Sequence, residues 1–271
     1  MSRSERTPRQ IADAYVADLV ELQPELATAL GYREHDHRMP DFSAAGHAAV
    51  ADTSRAALAE LRTFLDRTDE PLDPVERRCA RLLSERLNAS LALHDTGEDL
   101  RAMNNLNSPV QTMRSIFLTT PAETISDWTV IARRLAAVPD AVRGYQDSLR
   151  EGASQDLYAG PSQVTAVVAQ LRSWVGANHG ESWYHEFVAA GPAEVADALA
   201  EAADQAATAL DGLRAWLERD YAPGAANTAD TVGEERYARF ARQSTGSDLN
   251  LAEAYTWGLE EVRRIEAEMR S

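Results

Sequence analysis

The sequence predicts an all-α protein, a multi-helix bundle or array of long antiparallel helices, and three observations carry that prediction. A helix-start signature recurs: a cap residue, then proline, then Glu or Gln three positions after the cap. Thr7-Pro8 with Gln10, Asp73-Pro74 with Glu76 and Thr120-Pro121 with Glu123 all fit it. The cap oxygen accepts from a free backbone N–H, and proline at the first helical position loses nothing by lacking its own. The acidic or amide side chain closes the box and suits the positive helix end. Second, Leu199, Ala203, Ala206, Leu210, Leu213 and Leu217 fall at alternating spacings of four and three, an apolar seam along one helix face. Third, the chain has no Asn-Gly hairpin and no sustained period-two alternation bounded by turns, so no strand is expected.

The elements follow in order. Thr7 and Pro8 open a helix over 8–30, and the polar stretch Gly31 to Phe42 (GYREHDHRMPDF) is a loop. Apolar residues at helical period give a helix over 44–67, and Asp73 opens another over 74–95. Thr96 to Pro109 is an Asn-rich connection, after which Thr120 opens a helix over 121–150. Another helix runs over 161–176, and Trp183, Tyr184 and Phe187 mark the buried face of a short one. Gly191-Pro192 with Glu194 is a weaker start for the seam helix of 193–221, whose small alanines let a partner helix approach closely. Ala222 to Gly233 (APGAANTADTVG) reads as the longest Gly/Ala/Asn/Thr-rich connection, and Asn250 with Glu253 opens a last helix over 250–270. The expected organisation is a helical bundle over 1–221, a loop over 222–233, and a helical segment over 234–271. The alternative is one domain over 1–271. The gaps between helix starts are unequal, which disfavours a solenoid.

With 271 residues and 44% hydrophobic content, the chain removes roughly 70–75% of its unfolded surface from water. It needs no disulfide, and Cys79 is the sole cysteine, which fits a reducing cytoplasm. The polar N-terminus has no apolar leader segment, and no stretch approaches the ~18 apolar residues that cross a bilayer. Twenty-seven cations against 43 anions leave a net charge of −16, the wrong sign for nucleic-acid phosphates or anionic lipids. The expected protein is therefore cytoplasmic, with neither nucleic acid nor membrane as partner. Every cation is arginine, which removes Schiff-base, P-loop-lysine and Ser-Lys chemistry together.

The chemistry-bearing residues are sparse. His35-Asp36-His37 is the densest metal-capable cluster, and in an extended segment His35 and His37 point to one side as two candidate ligands. The competing reading is a solvated loop whose charged side chains pack helix ends, because His47, His94, His179 and His185 offer no second cluster. His185-Glu186 invites a zinc-peptidase HExxH reading, but Ala189 stands where the second histidine belongs. No G-x-S-x-G elbow, G-x-G-x-x-G or Walker motif occurs. Arg77, Arg78 and Arg81 flank Cys79 and would lower its pKa, whereas a single cysteine within a helix reads first as a small core residue. Beyond the longest loop, Gly233, Tyr237, Arg242 and Thr245 combine turn, aromatic, cation and hydroxyl, a mix that can line a substrate pocket. No residue is assigned as catalytic.

The run LRAWLERDYAPGAANTADTVGEERYARFARQSTGSDLNLAEAYTWGLEEVRRIEAEM, from Leu213 to Met269, resembles the bacterial family known as domain of unknown function 885. Tyr221 and Pro223, Gly233 and Tyr237, Thr245, and Gly258 through Met269 match its pattern in order. PELATALGYREHDHRMPDFS resembles the family's opening loop, and TTPAETISDWTVIARRLAAVPDAV and AGPSQVTAVVAQLRSW its middle helices. The resemblance implies a zinc-dependent peptidase or related hydrolase whose HExxH helix lies C-terminal to the Gly-Leu-x-Glu-Val helix, beyond Ser271. On that basis the chain is the N-terminal helical portion, lacking the metal site and inactive alone. Zinc is expected only with the C-terminal half, and Gly233, Tyr237, Arg242 and Thr245 are the cleft candidates. Leu251, Tyr255, Leu259, Val262 and Met269 form an apolar stripe expected to meet a partner: that half, a separate chain, or a second copy of this one. Two other readings compete: a stand-alone helical interaction or scaffold module without catalysis, and a metal-binding module built on His35 and His37.

Overall fold

The structure, a computed structural model, describes residues 6–68, 71–177 and 180–270. Among the described residues every regular element is helical. The N-terminal layer is α1 (Pro8–Leu22), α2 (Pro24–Leu30), α3 (Ala44–Arg67) and α4 (Pro74–His94). Thr7 and Gln10 form the expected reciprocal capping box on α1. The anticipated 8–30 helix is broken at Gln23, because Pro24 excludes the helical conformation from the residue before it. Asp73 caps α4, but Glu76 turns away from its own helix and accepts from Thr7 Oγ1 (3.2 Å) and the Arg9 N–H (3.0 Å). It thereby ties the starts of α1 and α4 together. Ile11, Ala57, Leu61, Ala80, Leu83 and Leu87 form a small core between α1, α3 and α4.

The larger core belongs to α5 (Pro109–Thr119), α6 (Ile125–Ala136), α7 (Val138–Ser154), α8 (Pro161–Trp174), α9 (Trp183–Val188) and α10 (Ala196–Trp216). Helix α5 fills the stretch between the loop expected over 96–109 and the helix start expected at Thr120, which the sequence pattern leaves unassigned. Thr120 ends α5, its hydroxyl donating to the Ile116 carbonyl (2.8 Å), and the following helix starts at Thr124, which shares a capping box with Asp127. The expected 121–150 helix also divides at Ala137. Pro139 has no N–H for the carbonyl four residues back and crowds it. Gly191-Pro192 opens only the 3₁₀ turn Ala193–Val195. The seam residues from Leu199 to Leu213 are all buried on α10, which packs against α6, α7, α8 and α9, and Leu217 is buried just past its end. A π-helical turn, Leu217–Tyr221, carries that helix into α11 (Ala222–Ala225), so the loop expected over 222–233 shortens to 226–232.

The two layers meet along α7. Ser148 donates to the Phe42 carbonyl (2.7 Å) and Tyr145 to the Ala102 carbonyl (2.9 Å). Gly152 is needed where the 3₁₀ turn Asp99–Arg101 crosses, since a Cβ there would lie 2.3 Å from the Leu100 carbonyl oxygen. The chain then forms α12 (Gly233–Thr245) and α13 (Leu251–Arg270), the latter started by Asn250, whose side chain accepts from the Glu253 N–H (3.2 Å). Neither helix contains a buried residue.

Candidate functional site

Helix α12 is mounted on the body by polar contacts at three points. Ahead of it, Asp230 accepts from the Ser162 N–H (2.9 Å) and hydroxyl (2.6 Å), tying the 226–232 loop to the start of α8. At its middle, Arg236 makes a two-pronged contact with Glu98 (2.8 and 2.7 Å), and Arg101 donates to the same carboxylate (2.6 Å). Burial works to raise the Glu98 carboxyl, but Arg236 and Arg101 outweigh it and hold it below the usual range. At its end, Arg86 of α4 donates to the carbonyls of Arg242 (3.0 Å) and Gln243.

The four sequence-picked cleft residues lie on this helix but do not converge. Gly233, with φ +74°, starts α12 and joins Tyr237, Val232, Leu251 and Tyr255 around an open concavity of about 610 Å³. Arg242 and Thr245 sit at the opposite end, in a groove of about 1080 Å³ against α4. There Arg242 pairs with Asp248 (2.7 Å) and more loosely with Glu85 (3.9 Å), and the Thr245 hydroxyl donates to the Ala241 carbonyl (2.7 Å). Gly246, in the left-handed region, ends the helix.

In the His35-Asp36-His37 cluster the middle residue has the structural role. Asp36 is buried, accepts from the Thr28 hydroxyl (2.6 Å), and faces the fully buried Arg134 of α6 at 3.8 Å. Arg134 also donates to Thr120 Oγ1 (2.6 Å), Thr28 Oγ1 (3.0 Å) and the carbonyls of Arg38 (3.0 Å) and His35 (3.2 Å). Burial pulls its pKa down to about 10, so it remains charged at neutral pH. The His35 ring sits between Glu21 (3.3 Å) and Arg38 (3.4 Å), while His37 is exposed.

The structure assembles a second histidine pair, from residues far apart in sequence. His47 of α3 and His94 of α4 line a cavity of about 140 Å³ with Asp99, Ser54, Ser90 and Gln23. His94 Nδ1 lies 2.7 Å from Asp99, and the buried His47 Nε2 has no hydrogen-bond partner among the described residues. Burial lowers the His47 pKa. No linear motif joins residues 47, 94 and 99; only the antiparallel pairing of α3 and α4 does. Among the described residues, no group of three or more His, Cys, Asp or Glu side chains is arranged to hold a metal ion. His185 pairs with Asp204 (2.8 Å) and Ser182 (2.5 Å). His179 lies outside the described residues. Cys79 is half-buried, and burial together with Glu76 and Asp13 raises its thiol pKa against the opposing pull of Arg9. The neighbouring arginines therefore do not activate it.

Residues 24–271 match the family described as bacterial protein of unknown function, DUF885. The chain belongs to this family. No curated protein matches it in sequence. Among solved structures, the DUF885 chain is similar to a candidate lipoprotein of unknown function from Shewanella oneidensis, at 16% identity and a TM-score of 0.73. That likeness covers 97% of this chain and 47% of the other, so the DUF885 chain spans about half of the length of that structure, with which it shares a fold. No helix among the described residues is long and apolar enough to cross a membrane.

Proposed function

We propose that this DUF885 chain is the N-terminal helical portion of a zinc-dependent peptidase or related hydrolase, and that α12 and α13 form one wall of its substrate cleft. The observation that carries the reading is the bare apolar face of these two helices. Tyr237 on α12 and Tyr255, Leu259, Val262 and Met269 along one side of α13 are all exposed, with Tyr255 at 71% and Met269 at 82%. Isolated exposed apolar residues are ordinary, but an apolar stripe along one face of a long helix supports a contact surface.

The described residues do not form a zinc site. The His35 ring is held by Glu21 and Arg38, and no third ligand joins it and His37. On this reading the metal chemistry belongs to polypeptide outside this chain, and no catalytic step is assigned to residues within it. The chain's contribution is shape and orientation: Gly233 and Tyr237 border one concavity, and Arg242 and Thr245 the other.

The test is peptide hydrolysis in the presence of zinc, by the 271-residue chain and by the longer protein that continues beyond it. The chain alone is expected to be inert and the longer protein active, with Tyr237→Ala raising KM in the latter. Hydrolysis by the purified chain with one zinc per molecule overturns the proposal, as does a metal-loaded longer protein that cleaves no peptide.

A further inference from the structure

Helix α4 presents a concentration of cations that the hydrolase reading does not use. Arg77, Arg78, Arg81 and Arg86 lie within three turns of it, and together with Arg242 they line the groove of about 1080 Å³ beneath the end of α12. Arg86 and Arg242 are committed, the first to Glu85 and the two carbonyls ending α12, the second to Asp248. Arg77, Arg78 and Arg81 are exposed and have no carboxylate partner among the described residues. That is unusual in this molecule, where anions outnumber cations 43 to 27 and most guanidinium groups are ion-paired. Leaving three adjacent like charges uncompensated in an acidic protein works against its own electrostatics unless an anion completes them.

The rest of the lining identifies the kind of anion. Leu65, Leu72 and Leu82 stand among the arginines, with Leu82 at 63% exposure. The groove is too long for one inorganic ion, and its apolar walls favour a ligand with its own apolar groups. Guanidinium forks match carboxylates in two-pronged geometry, and their stems can lie along leucine side chains. The net charge of −16 repels a long polyanion such as nucleic acid over several ångströms, and a short segment with few charges much less. We propose that the groove between α4 and the end of α12 binds a short acidic peptide segment, with its carboxylates on Arg77, Arg78 and Arg81 and its apolar side chains on Leu65, Leu72 and Leu82.

The inference is independent of the metal chemistry proposed above, because its test needs only the 271-residue chain. The probe is a fluorescein-labelled peptide alternating glutamate and leucine, compared by anisotropy at low salt with the same peptide carrying glutamine for glutamate. The glutamate peptide is expected to bind at least tenfold more tightly, and to lose that advantage as salt rises. The R77E/R78E/R81E variant should bind it at least thirtyfold more weakly, and the neutral R77Q/R78Q/R81Q variant should show a smaller loss. The R133E/R143E/R219E variant, with the same change in net charge at exposed sites away from α4, α12 and α13, should bind like the parent. Equal binding of the two peptides overturns the proposal, and so does retention by R77E/R78E/R81E. Displacement of the peptide by inorganic phosphate or a short oligonucleotide at lower concentration than by unlabelled peptide also overturns it, in favour of a phosphate-bearing ligand.

Discussion

Arg134 joins three segments that are distant in sequence: the end of α2 through Thr28, the loop through Arg38 and Asp36, and the end of α5 through Thr120. Removing one member of such a buried set leaves the others desolvated and unpaired, so Arg134→Met is expected to cost about 3–5 kcal/mol. Urea unfolding measures this, and the double variant with Asp36→Asn should recover part of the loss, because the stranded charge is gone. His47 gives a pH-dependent counterpart. Its folded-state pKa lies below the ordinary value, so the unfolded chain takes up a proton first as pH falls. Stability is therefore complete above about pH 6.5 and declines below it. The drop in melting temperature between pH 7.5 and 5.5 should shrink in His47→Gln, and an unchanged drop would exclude His47 as its source. The HDH triplet stands out in sequence only as a metal-capable cluster or a solvated loop, and the buried role of its middle residue is not legible there. The partner of Asp36 lies 98 positions away, and no local pattern announces a buried arginine.

At the scale of elements, caps and seams were readable because they are local. Thr7, Asp73 and Asn250 cap as their side-chain chemistry requires, and the α10 stripe is buried along its length. Breaks were harder to place. Pro24 and Pro139 each end a run that apolar period alone would continue, and Thr120 serves as the stop of one helix although its neighbour Pro121 resembles a start. The four cleft candidates were picked for their mix of residue types, and all four fall on α12, a 13-residue helix that places its two ends in different concavities. The seam itself yields two expectations from packing density. Leu210→Ala should lose about 2–5 kcal/mol through the cavity left at a fully buried site. Ala203→Leu should lose about 1–3 kcal/mol through overpacking where α10 meets its neighbours. Denaturant midpoints at unchanged m-value would check both.

At the scale of the molecule, a large core around α10 and a small one between α1, α3 and α4 account for most of the buried apolar side chains, and α12 and α13 belong to neither. On the proposed reading that α13 docks on further polypeptide, Val262→Asp should weaken that association in a pull-down with the remaining portion, and unchanged association would place the contact elsewhere. Glu98→Gln should speed hydrogen exchange across 233–270 while leaving α10 protected, since it loosens Arg236 without touching either core. The mount of α12 on Asp230, Glu98 and Arg86 then has a mechanical meaning. Charged fasteners soften as ions accumulate around them, whereas buried leucines do not. Helix α12 thus resembles an arm on a rigid base, and the clearance of the groove beneath its end becomes a quantity responsive to the surrounding ionic medium, not a fixed dimension of the fold.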